Sequence, residues 1–271
     1  MTFAPAAAAS AAPHPRPAAH PAPRPPLLSA RALTRTYGTS ETATRALDGV
    51  DLDLHRGDSL AVMGPSGCGK TTLLHVLAGI LAPTSGTVHL DGRDLAALGE
   101  KRRTLLRRSD FGFVFQDGQL LPELTALENV ILPRMLGGTS RRAATSEARS
   151  RLDRLGLAGM HERRPGQLSG GQAQRVAVAR ALAGRPSVVF ADEPTGALDQ
   201  ETGQAVLSTL VDSCLETGAS LVMVTHDAKV AAVCRRTVAM RDGLIAREYV
   251  RPEAQHPGTP QAATRASGAA R

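Results

Sequence analysis

The sequence predicts an α/β fold, a mostly parallel sheet accompanied by an antiparallel β ribbon and interrupted by a helical insertion. Three observations lead there. The apolar run Leu60-Ala61-Val62-Met63 passes through a glycine-rich loop into a helical pattern in which Leu73, Leu74, Leu77 and Ala78 share one face. The runs Ser187-Val188-Val189-Phe190-Ala191 and Leu221-Val222-Met223-Val224 are continuously apolar, as strands buried on both faces must be. From Asp117 to Pro165 strand signals fade and helical spacing replaces them.

The loop that follows the first run is Gly64-Pro65-Ser66-Gly67-Cys68-Gly69-Lys70-Thr71-Thr72, which matches G-x-x-x-x-G-K-[ST] between a strand and a helix. Its chemistry is that of a phosphate cradle. Glycines let successive backbone N–H groups turn inward as an anion nest, and the helix N-terminus adds partial positive charge. Lys70 supplies an ammonium for the β- and γ-phosphates of a nucleotide, and the Thr71 hydroxyl is a ligand for Mg²⁺. A glycine-rich turn that merely joins strand to helix is the plain alternative; lysine and threonine in register, with both flanks correct, speak against it.

Composition sets the outer limits. A chain of 271 residues can bury a substantial core, and its organisation reads as one catalytic domain over 27–250 between tails at 1–26 and 251–271. The first tail is rich in Ala, Pro and His with scattered Arg; it is read as disordered, not as a secretory signal, and the second as flexible. No apolar run has the length of a membrane span, so any membrane role is borrowed from a partner. A net charge of +7 raises nucleic acid as a partner. Its distribution argues otherwise: arginines lie in both tails and in 101–108 and 134–164, acidic residues are interleaved elsewhere, and no aromatic platform accompanies them. Lysine stands only at positions 70, 101 and 229, so the arginine usage reads as a composition bias over a solvated or headgroup-facing surface. Cys68, Cys214 and Cys234 lack metal-site spacing and fit a reducing compartment. Cys214 and Cys234 read as small buried hydrophobes, whereas Cys68, near a helix N-terminus, is expected to react with alkylating reagents and so block nucleotide binding.

Taken in order, Leu27 to Thr36 reads as a first strand ending at Tyr37, whose ring is either strand-end packing or a stacking face for a base. Val50, Leu52 and Leu54 alternate with polar residues as a half-buried strand does. Pro83-Thr84-Ser85-Gly86 is a turn into Thr87–Leu90, which closes as a hairpin at Asp91-Gly92 with His89 outward. Leu95 to Arg108 is expected as a basic helix with a solvated face. Phe111 to Phe115 is a strand delivering Gln116 to its C-terminal end, where ligands gather in open α/β sheets; a carboxamide there can coordinate Mg²⁺ and hold a water.

The helical insertion, about 117–165, contains helices over Leu124–Arg134 and Ser140–Leu155, broken by Gly137-Gly138. Leu168-Ser169-Gly170-Gly171-Gln172 then opens an apolar-periodic helix with Val176, Ala179 and Leu182. Ser169 is placed as an N-cap and the glycines expose N–H groups, so this is a second anion-ready helix start. One phosphate chain needs no second cradle: either it serves another copy of the chain or it is only a capped helix. The next strand ends in Asp192-Glu193, two carboxylates that are costly at a buried strand end unless a cation or substrate uses them. Asp192 is expected to hold Mg²⁺, and Glu193 to take a proton from attacking water. A helix over Gln200–Thr217 follows. The strand Leu221–Val224 delivers His226, an imidazole able to bond the γ-phosphate or a structural residue. Thr237–Met240 and Leu244–Glu248 form a closing hairpin around Asp242-Gly243.

Together these motifs resemble, from about Leu28 to Tyr249, the ATP-binding subunits of ABC transporters. The resemblance implies a P-loop NTPase core with a RecA-like sheet and a head-to-tail homodimer holding two ATP molecules with Mg²⁺. It implies that Tyr37 stacks on adenine, that Ser169 and Gly171 of one copy meet the γ-phosphate bound by Lys70 of the other, that Asp199 touches the opposite subunit, and that Gln116 couples the site to an integral membrane permease. Catalytic roles fall to Glu193, His226 and Gln116, and metal contacts to Thr71, Gln116 and Asp192. Phe113-Val114-Phe115-Gln116 with Leu120-Leu121-Pro122 and Leu124–Val130 looks like the lipoprotein-release and macrolide-export type. That type implies a permease with a large extracytoplasmic domain and a place at the cytoplasmic face of the membrane. Ala173 replaces a common glutamine, and Asp117-Gly118 lacks the aromatic often found after Gln116, which bears on the choice of permease. A regulator that signals to cell-wall remodelling without transport shares every motif; a soluble ATPase acting on nucleic acid fits less well, because those chains are tandem or interrupted by coiled coil.

Overall fold

The computed structural model describes residues 25–38 and 42–251; the tails read as disordered lie, but for residues 25, 26 and 251, outside the described residues. The chain opens with β1 (Leu28–Tyr37) and β2 (Thr44–Leu54), antiparallel to each other, then β3 (Ser59–Met63) and α1 (Lys70–Leu77). A hairpin of β4 (Ser85–Leu90) and β5 (Arg93–Asp94) returns beside β1, so the ribbon becomes a four-stranded antiparallel sheet in the order β2-β1-β4-β5.

The second sheet holds the core. After α2 (Glu100–Asp110) and β6 (Phe111–Phe115), the regular elements up to β7 (Val188–Asp192) are α3 (Ala126–Leu136), α4 (Arg141–Arg154), a 3₁₀ turn at Pro165–Gln167 and α5 (Gly170–Ala183). Then come α6 (Gln200–Thr217), β8 (Ser220–Thr225), α7 (Ala228–Ala231), β9 (Arg236–Arg241) and β10 (Leu244–Val250). The order is β10-β9-β3-β8-β7-β6, parallel from β9 to β6, with β10 antiparallel at one edge.

Burial explains the apolar runs. Phe190, Val222 and Val224 point to the layer that includes α1 and the antiparallel sheet, whereas Val189, Ala191, Leu221 and Met223 point to the opposite layer with Leu182, Leu207 and Leu210. Successive residues on a strand face opposite ways, so a strand covered on both sides must be apolar throughout. A third cluster lies among α3, α4 and α5, where Val130, Ala144, Leu152 and Val176 meet. Cys214 and Cys234 are buried as expected, and burial pushes both thiols up to about 12.

One boundary differs by more than a full turn. The basic helix expected from Leu95 begins at Glu100, because Leu95 is buried in the core with its N–H on the Val88 carbonyl (2.8 Å). The Asp94 carboxylate accepts from the Ala96 N–H at 2.8 Å, a turn geometry that competes with helix. α3 starts at a capping box of Thr125 and Glu128, and runs to Leu136 with Pro133 in its last turn.

Candidate functional site

Parallel register brings four strand ends to one edge. Met63 lies opposite Thr225, Val224 opposite Asp192, and Asp192 opposite Phe115, so the segments after β3, β8, β7 and β6 emerge level with one another. They carry the phosphate loop, His226, Glu193 and Gln116.

In the loop, Gly69 caps α1 with φ 101°, a left-handed conformation open to glycine, and a side chain there would collide with the Ala46 carbonyl. The Lys70 ammonium is buried within the loop and donates to the carbonyls of Gly64 (2.8 Å) and Pro65 (2.9 Å). Pro65, Ser66, Gly67 and Thr72 complete the turn and the first helical turn around it. Cys68 corrects the sequence expectation: its thiol packs into the hydrophobic core and is only 6% exposed, so an alkylating reagent has no open approach to it.

The two carboxylates part company at β7. Glu193 has φ 45°, a left-handed turn for a residue with a Cβ, and its N–H donates to the Val224 carbonyl at 3.0 Å. Such a conformation costs on the order of 1–2 kcal/mol and is held by its surroundings. Asp192 accepts from the Thr71 hydroxyl at 3.3 Å, while Glu193 meets His226 Nδ1 at 2.8 Å and accepts from Thr225 Oγ1 at 3.4 Å. Burial holds the Asp192 carboxyl above the usual aspartate range, against the lowering effect of the Thr71 hydrogen bond. A half-buried carboxylate beside a hydroxyl is an oxygen pair that suits a hard divalent cation, which would offset that burial cost. His226, expected to face a phosphate, is bonded to the acid instead. Thr225 carries no role legible in the sequence; a hydroxyl at the end of a wholly buried strand is its only signal.

Gln116 lies exposed just past β6, its carboxamide against Gly196 in the loop that follows Glu193. Tyr37 ends β1 opposite Thr44; the residue is 40% exposed, and its ring carries the Arg35 guanidinium 4.8 Å from its centre. Asp199 caps α6 through the Thr202 N–H at 3.0 Å, and that bond holds its carboxyl below the usual aspartate range.

The second helix start is capped reciprocally: Ser169 Oγ accepts from the Gln172 N–H (3.3 Å) and Gln172 Oε1 from the Ser169 N–H (3.0 Å). Ser169 and Gly170 are exposed, whereas Gly171 is buried so close to Thr202 that a side chain would collide with it. Among the described residues no hydrogen bond joins Ser169–Gln172 to the phosphate loop. α5 packs beside β6, three strand positions from β3 in the sheet order, or about 14 Å at the spacing of neighbouring strands.

A family profile described as ABC transporter matches residues 47–196. The lipoprotein-releasing system ATP-binding protein LolD of Shewanella frigidimarina is 44% identical over 219 residues, 81% of this chain and 92% of that protein. The macrolide export ATP-binding/permease protein MacB 1/2 of Paracoccus denitrificans is 47% identical over 220 residues, covering 81% of this chain and 33% of that longer protein. Among solved structures, a dimeric post-hydrolysis state of an ATP-binding cassette bound to ADP and Pi superposes with a TM-score of 0.75 at 39% identity, covering 82% of this chain and 98% of that one.

Proposed function

We propose, from the premise that this chain belongs to the ABC transporter family as an ATP-binding, ATP-hydrolysing subunit, that two copies close head to tail on two nucleotides and drive a membrane permease. The observation that carries this reading is the start of α5, exposed at Ser169 and Gly170, which lies away from the phosphate loop of its own chain. A second copy turned head to tail would bring its Ser169 and Gly171 onto the γ-phosphate held by Lys70, completing a site that each chain possesses in halves.

In this reading Lys70 exchanges the Gly64 and Pro65 carbonyls for β- and γ-phosphate oxygens, the N–H groups of the loop hold the remaining charge, and Tyr37 stacks on adenine. Glu193 accepts the proton of the attacking water, and Thr225 and His226 aim its carboxylate. Mg²⁺, when bound, neutralises phosphate charge, and Thr71, Asp192 and Gln116 would hold it. Asp199 meets the opposite copy.

A groove of about 340 Å³ between β6 and α3, lined by Phe113, Phe115, Gln119, Leu136 and Arg180, is the proposed seat of the permease. Its lining includes Phe115 and Gln119, on either side of Gln116 in the chain, so pressure on it reaches the segment that bears the amide. No helix among the described residues is long and apolar enough to cross a membrane; attachment at the cytoplasmic face would come through the permease. The relatives' names support lipoprotein release or macrolide export as the output; a permease with a large extracytoplasmic domain belongs to the same proposal and rests on the sequence resemblance alone.

The test is Glu193→Gln. Phosphate release falls by about 10²–10⁴-fold while the variant forms a dimer with Mg-ATP in light scattering. A strictly monomeric variant, beside wild-type protein whose specific activity is independent of its concentration, overturns the reading.

A further inference from the structure

Gln174 lies on the first full turns of α5, two residues beyond the capping box, and is only 2% exposed. A carboxamide buried to that degree is unfavourable unless its hydrogens are used. Both are: Nε2 donates to the Phe115 carbonyl at 2.8 Å and to the Pro194 carbonyl at 2.7 Å. Two carbonyl oxygens around one terminal atom identify that atom as the NH₂ group, and they exhaust its donors.

The two acceptors are the residue before Gln116 and the residue after Glu193. β6 and β7 pair in register as far as Phe115 and Asp192, where the backbone ladder stops. The amide of Gln174 adds one more rung beyond that point, made of a side chain from a third element. Further along the same helix, Arg180 donates to the carbonyls of Gly118 (2.7 Å) and Gln119 (2.7 Å), so α5 holds the Gln116 segment at both ends.

We propose that Gln174 is a positioning residue for ATP hydrolysis, which fixes the loops bearing Gln116 and Glu193 to α5 so that contact at the start of α5 is felt at the acid of the same chain. This rests on the two-copy reading above: the start of α5 faces one nucleotide and Glu193 serves the other. A shift of α5 then moves the acid that acts at the second nucleotide, without passing through the phosphate loop.

Gln174→Met keeps side-chain length and burial and removes both donors. In the full chain, the expected result is a kcat lower by about tenfold to hundredfold, the loss that misplacing a reacting group produces, with KM for Mg-ATP within about twofold. The double variant Glu193→Gln/Gln174→Met still dimerises with Mg-ATP. Gln174→Asn retains the amide but is one methylene too short to span both carbonyls, and shows the same split if the methionine variant proves unstable. Wild-type kcat in either folded variant, or a rise in KM matching the fall in kcat/KM, overturns the proposal. Failure of Glu193→Gln itself to dimerise removes the premise, and this inference with it; a normal dimer with unimpaired Gln174 variants removes this inference alone.

Discussion

The parallel sheet and the helical layer of α3, α4 and α5 are both packed, yet they are held in different ways. In the sheet, buried strands are locked by backbone ladders on either side, and residues such as Val189 and Ala191 are covered on both faces. In the helical layer the apolar cluster is smaller, and its outer face carries Arg134–Glu147, Arg141–Glu128 and Arg149–Glu162 pairs, each with at least one partner open to solvent. Pairs of that kind contribute little. Rigidity is therefore concentrated where Glu193 and Lys70 must keep their places, and the helical layer is the more compliant of the two.

The comparison can be broken first at its strongest point. Phe190 is buried on β7, one strand in from the β6 edge, with Phe111 edge-on at 5.1 Å and Phe113 stacked at 5.8 Å. Phe190→Ala is expected to cost about 3–5 kcal/mol in urea unfolding, with all probes moving together. Leu152→Ala, equally buried but in the helical layer, is expected to cost about 2–4 kcal/mol. Hydrogen exchange should then rise first in α3 and α4; uniform acceleration across β7 and β8 would erase the distinction between the two regions.

Smaller effects sharpen it. Because burial raises the folded pKa of Asp192, its ionisation opposes folding as pH climbs from 3.8 through the raised value. Asp192→Asn should therefore melt about 1–3 °C higher at pH 8, and the gain should vanish below the ordinary aspartate range, where both states carry the proton. Turnover should fall at the same time. Arg149→Gln removes the 2.7 Å pair with Glu162 and the 3.0 Å contact with His161, and should change stability by less than about 1 kcal/mol.

Sequence legibility follows the same division. Strands covered on both faces must be apolar, so β7 and β8 are visible in a single chain, as is the phosphate loop, whose chemistry tolerates few residue types. α6 is legible over its whole length, Gln200–Thr217, because Asp199 caps it and Gly218 ends it in the left-handed region. The start of α2 is not, since Leu95 serves the core through a tertiary contact that no local pattern encodes. The bond between His226 and Glu193 spans 33 residues, and that between Gln174 and Phe115 spans 59; each becomes visible only once the strand register is known.

The reciprocal cap at the start of α5 has one further consequence. Ser169 and Gln172 already satisfy each other's backbone, so this stretch holds its shape before anything touches it. On the proposed two-copy reading, a contact surface that needs no ordering gives up little entropy on meeting its counterpart, which leaves charge and dehydration to decide how firmly it grips. Closure through it should accordingly loosen as ionic strength rises, and be restored by dilution of the salt.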